Sequence, residues 1–187
     1  FVRVAGGSDI PVLDLYKKTG EDRTAAIAAY VEKLEAYVSK IGEAHEQPGH
    51  KDKVSGTNKA YDAKNCILNT TDIMLEPMMY SLPATQIWGG IAKDPDKVKK
   101  LDNALKAMED TMTLFYQHKG LSNEAGDVNG RNDLPSQHLN IRYMRMFAGA
   151  FMYASGNHIG IEWGSAPLAS APSNWNGFGW GVAHEIG

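Results

Sequence analysis

The feature that most constrains the fold is a stripe of apolar residues that follows Asp94-Pro95. Its members recur at alternating steps of three and four residues: Val98, Leu101, Leu105, Met108, Met112 and Phe115. This spacing puts all of them on one face of an α-helix, and proline is favoured in a helix's first turn. The stripe therefore predicts an amphipathic helix, and its methionines are interpreted as core residues rather than as a cofactor surface.

Other segments predict a second helix and several strands. A stripe from Ile27 to Ile41 predicts a helix from Glu21 to near Gly42, and a short helix is expected after Pro83, ending at Gly89-Gly90. The segments with strand composition are FVRVAGGSDIPVLDLYK, residues 64–75, HLNIRYMRMF and AFMYASGNHIGIEWGSA, the last with a turn at residues 155–157. This mixture predicts a single α+β domain over residues 1–187.

Bulk composition excludes several classes of protein. The chain has 187 residues and no apolar run near the roughly 18 residues that a membrane span needs, so no membrane span is expected. A formal net charge of −3 provides no broad basic surface, and nucleic-acid binding is not expected. Cys66 is the one cysteine, which excludes an intramolecular disulfide.

The sequence ends with GWGVAHEIG, which contains the first part of a metal-binding pattern. In His-Glu-x-x-His on a helix, two imidazoles lie one turn apart and bind one zinc ion, and the glutamate reaches the zinc-bound water. Zinc lowers the pKa of that water, and the glutamate accepts its proton as it attacks a peptide carbonyl. His184 and Glu185 occupy the first two positions, so the second histidine is expected directly after Gly187.

The segment SNWNGFGWGVAHEIG resembles the enhancin-like, mucin-degrading zinc metallopeptidases, which are gluzincins. VRVAGGSDIPVLDL and MMYSLPATQ are also similar to the catalytic domain of that family. The resemblance implies a zincin-like α+β fold, with a mixed sheet packed on helices and the active-site helix at the C-terminal end. Residues 1–187 would then be an incomplete catalytic domain that lacks its C-terminal portion. This piece alone would be inactive, because the second histidine and the third ligand are absent.

The resemblance also implies roles for particular residues. His184 would bind Zn²⁺ and Glu185 would be the general base. Family members are secreted or at the cell surface and cut glycoprotein backbones beside O-linked sugars, so the pocket must accept a glycan. Gly156, Asn157 and His158 are predicted to bind substrate near an edge strand, HIGIEW, and Trp163 to stack on a sugar. The predicted function is a secreted zinc metalloendopeptidase acting on O-glycosylated, mucin-like glycoproteins.

Two alternatives remain open. The aromatic residues Trp163, Trp175 and Trp180 are compatible with a non-catalytic glycan-binding or adhesive module on a peptidase fold. Glu162 and Glu185 would be the carboxylates of a glycoside hydrolase. The remaining histidines are interpreted as surface residues: His45, His50, His118 and His138. His138 or His158 could still reach the site through the fold.

Overall fold

The computed structural model describes residues 9–45, 69–122, 132–136, 138–143, 152–161 and 184–187. Within these ranges the chain forms three helices and a six-stranded sheet. The elements in chain order are β1 (Val12–Asp14), α1 (Gly20–His45), β2 (Thr71–Met74), β3 (Met78–Leu82), α2 (Ala84–Ile91), α3 (Lys97–His118), β4 (Leu139–Tyr143), β5 (Met152–Ser155) and β6 (His158–Ile161). Residues 184–186 add a short helical turn.

Both long helices that the apolar stripes predict are confirmed, as α1 and α3. Helix α3 begins after Asp96, whose carboxylate accepts a hydrogen bond from the Lys99 N–H at 3.0 Å and so caps the first turn. The predicted break at Gly89-Gly90 is wrong, because α2 continues through both glycines to Ile91. Ile87 and Ile91 lie one turn apart and are both buried, so packing outweighs the low helix propensity of glycine.

The sheet is mixed, with strand order β1-β2-β3-β4-β6-β5. Strand β2 runs parallel to β1 and antiparallel to β3, and β4 runs parallel to both β3 and β6. The predicted edge strand in HIGIEW is wrong, because β6 lies between β4 and β5, and β5 is the described edge strand on that side. Strand β3 was not assigned from the sequence. The predicted hairpin turn before His158 is confirmed.

The hydrophobic core lies on one face of the sheet, under the helices. Facing residues of successive strands form a buried row across it: Leu13, Ile73, Tyr80, Ile141 and Ile159. Helices α1 and α3 add a second buried layer: Ile27, Leu34, Leu101, Leu105 and Met108. This arrangement confirms the predicted α+β class with a mixed sheet packed on helices.

Some predicted features lie outside the described residues. They include the first part of the segment FVRVAGGSDIPVLDLYK, with Val2 and Val4, the single cysteine Cys66, and the aromatic residues Trp163, Trp175 and Trp180. None of the described helices is both long enough and apolar enough to cross a membrane.

Candidate functional site

The predicted helical conformation around His184 and Glu185 is observed, since residues 184–186 have helical backbone. Ile186 packs against the hydrophobic core, whereas His184 is exposed and Glu185 is half-buried. Ile186 therefore anchors the turn on the helical side of the sheet. Consecutive helical residues project about 100° apart, so His184 and Glu185 leave the turn in directions different from that of Ile186.

A cavity of about 430 Å³ lies beside this turn. Its apolar lining comes from α3, the start of β4 and the turn itself: Met112, Leu139 and Ile186. Its polar lining includes Tyr116, Ser136, His138 and Asn157. A largely apolar concavity with a few converging polar groups is the usual form of a ligand site. The candidate site is therefore this cavity together with the adjoining turn, which contributes Ile186 to the lining; His184 and Glu185 are not among the cavity's described lining residues.

The hairpin turn between β5 and β6 brings Gly156 and Asn157 to this cavity. Gly156 has φ +58°, a left-handed conformation that glycine adopts at little cost. The Asn157 carbonyl accepts a hydrogen bond from the Asn140 N–H at 3.1 Å, which ties the turn to β4. The structure thus places two of the predicted substrate-binding residues on the same cavity as Ile186.

His158 occupies a different position. It pairs with Asn140 and lies on the sheet face opposite to Ile159, which is buried in the core. Its Nε2 lies 3.0 Å from the Tyr153 hydroxyl, and the two rings meet edge to face with centroids 5.5 Å apart. Among the described residues that line the cavity, Gly156 and Asn157 are present and His158 is not. Trp163 lies outside the described residues, so the roles of His158 and Trp163 stay predictions.

His138 lines the cavity, although its sequence context favoured a surface histidine. Its neighbour Leu139 donates a backbone hydrogen bond to the Pro77 carbonyl at 3.2 Å, at the start of the parallel pairing of β3 with β4. The His138 ring also lies 5.9 Å from that of Tyr16. Among the described contacts, this long-range pairing brings His138 to the site, and the signal for it in the sequence is its position directly before a strand.

A second cavity, of about 390 Å³, is lined in part by residues 134–136. Tyr116, Pro135, Ser136 and His138 line both cavities. Tyr16, Glu76, Glu109 and Thr113 complete the polar lining of the second cavity. The two cavities are therefore neighbours.

The donor set for a metal is incomplete within the described residues. They contain no group of three histidine, cysteine, aspartate or glutamate side chains that could hold a metal ion. His184 carries an imidazole of the kind that binds zinc, and its side chain is exposed. The described residues therefore fit a metal site only in part, through one ligand and the neighbouring carboxylate of Glu185.

Comparisons with known proteins identify the fold. No family model matches the chain, and no curated protein does. The chain is similar to the M60 catalytic domain of Clostridium perfringens ZmpC, solved in complex with the sialyl T antigen, with a TM-score of 0.59 and 18% identity over 94% of this chain. It is also similar to the ZmpB metallopeptidase of C. perfringens, with a TM-score of 0.57 and 25% identity over 98% of this chain. The catalytic module of the metalloprotease ZmpA from the same organism gives a TM-score of 0.54 and 14% identity over 92%.

These similarities show that the chain has a zincin-like metallopeptidase fold. More particularly, its structural neighbours are M60-like enhancin metallopeptidases, which confirms the resemblance seen in the sequence. The chain spans 28% of the ZmpC chain, 29% of the ZmpB chain and 28% of the ZmpA chain.

Proposed function

We propose that this chain belongs to the catalytic domain of a secreted or cell-surface zinc metalloendopeptidase that cleaves O-glycosylated, mucin-like glycoproteins. The observation that carries the proposal is the position of the His184-Glu185 turn, which packs through Ile186 beside a cavity of about 430 Å³. The fold that holds this turn is the fold of M60 catalytic domains. The sialyl T antigen in the ZmpC complex supports the glycoprotein part of the proposal.

In this proposal His184 is one ligand of the zinc ion and Glu185 is the general base. Zinc, when bound, supplies a Lewis acid that polarises the peptide carbonyl and lowers the pKa of water. The Glu185 carboxylate accepts the proton of the attacking water and later passes it to the leaving amine. The remaining ligands are expected among residues other than those described, and the first of them is a histidine directly after Gly187.

The cavity supplies the groups that position the substrate. Asn157 offers an amide with two donors and one acceptor, and Gly156 leaves room for close approach of a polypeptide backbone because it has no side chain. Trp163 is proposed to stack on the sugar, and His158 to contact the glycan from its position on β6. The apolar wall of Met112, Leu139 and Ile186 excludes water from the bound backbone.

The proposal is tested with the full-length protein that contains this chain, assayed on a mucin-type glycopeptide that carries the sialyl T antigen. We expect Glu185→Gln to lower kcat by about 10²–10⁴-fold, the usual contribution of a general base. The matched control is Glu32→Gln, which removes an exposed carboxylate on α1 and should leave cleavage unchanged. A chelator should abolish cleavage, and added Zn²⁺ should restore it.

Two results would contradict the proposal. The first is full cleavage by the Glu185→Gln variant in the presence of a strong chelator. The second is a codon other than histidine directly after Gly187 in the coding sequence. Tight binding of the glycopeptide with neither stoichiometric zinc nor cleavage would instead indicate the non-catalytic glycan-binding module.

A further inference from the structure

The helical turn at residues 184–186 carries one aliphatic side chain, that of Ile186, next to the polar side chains of His184 and Glu185. Their exposure differs in the order that helical geometry requires. His184 is exposed, Glu185 is half-buried, and Ile186 packs against the hydrophobic core. Glu185 projects about 100° and His184 about 200° from the direction of Ile186. With Ile186 directed at the core, His184 therefore lies on nearly the opposite side of the turn.

The cavity that Ile186 lines is formed by elements that are distant from it in the chain. Met112 on α3 is 4% exposed and lines this cavity. Leu139, the first residue of β4, and Gly156, between β5 and β6, line it as well. The surroundings of Ile186 therefore come from tertiary structure and not from the sequence around the turn.

Hydrogen bonds hold these elements in place. The Leu139 N–H donates to the Pro77 carbonyl at 3.2 Å, which joins the start of β4 to the end of the β2–β3 connection. On the other side, Arg23 donates to both carboxylate oxygens of Glu109 at 3.1 and 2.9 Å, which holds α3 on α1. Because the surrounding elements are fixed, the direction in which Ile186 packs is fixed by the fold.

The packing of Ile186 favours one rotation of the turn about its axis. Burying an isoleucine side chain is worth up to about 3 kcal/mol, whereas burying an unpaired imidazole or carboxylate is unfavourable. A rotation by one residue, about 100°, would remove Ile186 from the core and bring a polar side chain towards it. The apolar contact of Ile186 therefore disfavours the rotations that would turn His184 or Glu185 inward.

We propose that Ile186 is a positioning residue of the proposed active site, because its packing against the core sets the rotation of the turn and directs His184 and Glu185 away from the core. The histidine expected directly after Gly187 would lie on the same helical face as His184, since the two are four residues apart. The same contact would then direct both imidazoles outward, as the two-histidine zinc motif requires. This inference rests on the proposed function for the metal, whereas the anchoring derives from the packing of Ile186.

The test uses three variants of the full-length protein: Ile186→Ala, the conservative Ile186→Val, and the matched control Ile10→Ala. Ile10 is also a partly buried isoleucine that packs against the core, and it is not among the described lining residues of the cavity. Hydrogen exchange of the metal-free protein is followed by mass spectrometry. We expect a peptide that contains residues 184–187 to exchange about 10-fold faster in Ile186→Ala, because the anchor against local opening is lost. Ile186→Val and Ile10→Ala should leave its exchange near the wild-type rate.

The second measurement is the affinity for Zn²⁺, determined by competition with a chromophoric chelator. We expect Ile186→Ala to weaken zinc binding about 10- to 100-fold, the usual effect of losing a residue that orients a metal ligand. On the sialyl T glycopeptide, the same variant should lower kcat with little change in KM, since the reacting groups and not the substrate contacts are displaced. Ile186→Val should restore most of both properties, and Ile10→Ala should keep them.

The two measurements separate this inference from the proposed function. Faster exchange of the turn in Ile186→Ala supports the anchoring role of Ile186, even if the wild type neither binds zinc nor cleaves the glycopeptide and the proposed function is thereby contradicted. The inference is overturned if the exchange of the turn is unchanged in Ile186→Ala. It is also overturned if Ile10→Ala weakens zinc binding as much as Ile186→Ala does, or if Ile186→Val restores neither property.

Discussion

Arg23 on α1 and Glu109 on α3 form a two-pronged ion pair, in which Nη1 and Nη2 of Arg23 donate to Oε1 and Oε2 of Glu109 at 3.1 and 2.9 Å. The Nε of the same guanidinium donates to Asp102 at 2.7 Å. Burial by itself lowers the pKa of Arg23, but the hydrogen bonds and charges of Glu109 and Asp102 outweigh burial and raise it. This network fixes α1 on α3, the helix that contributes Met112 and Tyr116 to the cavity beside the terminal turn.

Replacing Arg23 should destabilise the domain strongly. Its side chain is 10% exposed, so Arg23→Met would leave the Asp102 and Glu109 carboxylates partly buried without their main partner. We expect a loss of about 3 kcal/mol in the free energy of unfolding, the usual cost of breaking a buried pair. Lys106→Ala is the control, because Lys106 is 55% exposed and its pair with Asp102 is worth less than about 1 kcal/mol. Urea denaturation measures both, and equal losses would contradict the buried role of Arg23.

Stability should also decrease in acid because of Asp102. Burial alone raises the pKa of Asp102, but hydrogen bonds from Lys106 and Arg23 and their positive charges hold it below its ordinary 3.8. The stabilisation is therefore complete above about pH 4 and is lost as the pH falls from there through the lower folded pKa. The difference in unfolding free energy between the wild type and Asp102→Asn should shrink over that range. A difference that stays constant below pH 4 would rule out this linkage.

A buried chain of hydroxyl groups joins α1 to the sheet. The Thr71 Oγ1 donates to the Pro11 carbonyl at 2.8 Å, so the Tyr30 hydroxyl, 2.7 Å away, must be the donor to Thr71. Tyr30→Phe should cost about 1 kcal/mol of unfolding free energy. Thr71→Val should cost about 2 kcal/mol, since it leaves the buried Tyr30 hydroxyl without its acceptor, whereas the Pro11 carbonyl keeps the hydrogen bond from the Asp72 N–H at 3.2 Å. Thermal or urea unfolding measures the stability of both variants. A smaller loss for Thr71→Val than for Tyr30→Phe would contradict the assigned order, in which the Tyr30 hydroxyl donates to Thr71 and Thr71 donates to Pro11.

Local periodicity predicted the helices well because their stripes are the faces that the core requires. The strand order of the sheet was harder to predict from the sequence. The sequence pattern does not predict strand β3 because Met78 and Met79 have no strong strand preference and one of its two partners, β4, is a distant segment. The predicted edge was wrong because β6 pairs with β4, whose partner residues lie 18 positions earlier in the chain, through a parallel register that no local pattern encodes.

The candidate site also has a part that the sequence predicts and a part that it does not. The helical pattern of the terminal motif pointed to His184 and Glu185, since metal-ligand spacing is a local property. The chain's folding, not its local sequence, brings His138 and Asn157 to one cavity, through the Leu139–Pro77 and Asn140–Asn157 hydrogen bonds. The sequence therefore predicted the chemistry of the motif but not the residues that surround it.

Gly160 and Tyr153 are expected to be energetically coupled. A Cβ atom on Gly160 would overlap Cε1 of the Tyr153 ring, which lies across it on the edge strand. Gly160→Ala should therefore cost about 1–3 kcal/mol of unfolding free energy, as overpacking does. In a Tyr153→Ala background the same change should cost much less. A double-mutant cycle by urea denaturation measures the coupling, and an unchanged cost in both backgrounds would show that the ring is not the obstacle.

Two of the predicted substrate-binding residues, Asn157 and His158, lie in different places in the structure. Asn157 lines the cavity beside the terminal turn, whereas the imidazole of His158 meets Tyr153 on the other face of the sheet. We expect Asn157→Ala to raise KM for the sialyl T glycopeptide about 5- to 10-fold with little change in kcat, since one hydrogen bond to bound substrate is lost. His158→Gln should change KM less than Asn157→Ala does, because His158 is not among the described residues that line the cavity. Steady-state kinetics on the full-length protein measure both variants. A larger KM effect for His158→Gln than for Asn157→Ala would place glycan recognition on the β5–β6 face and not in the cavity.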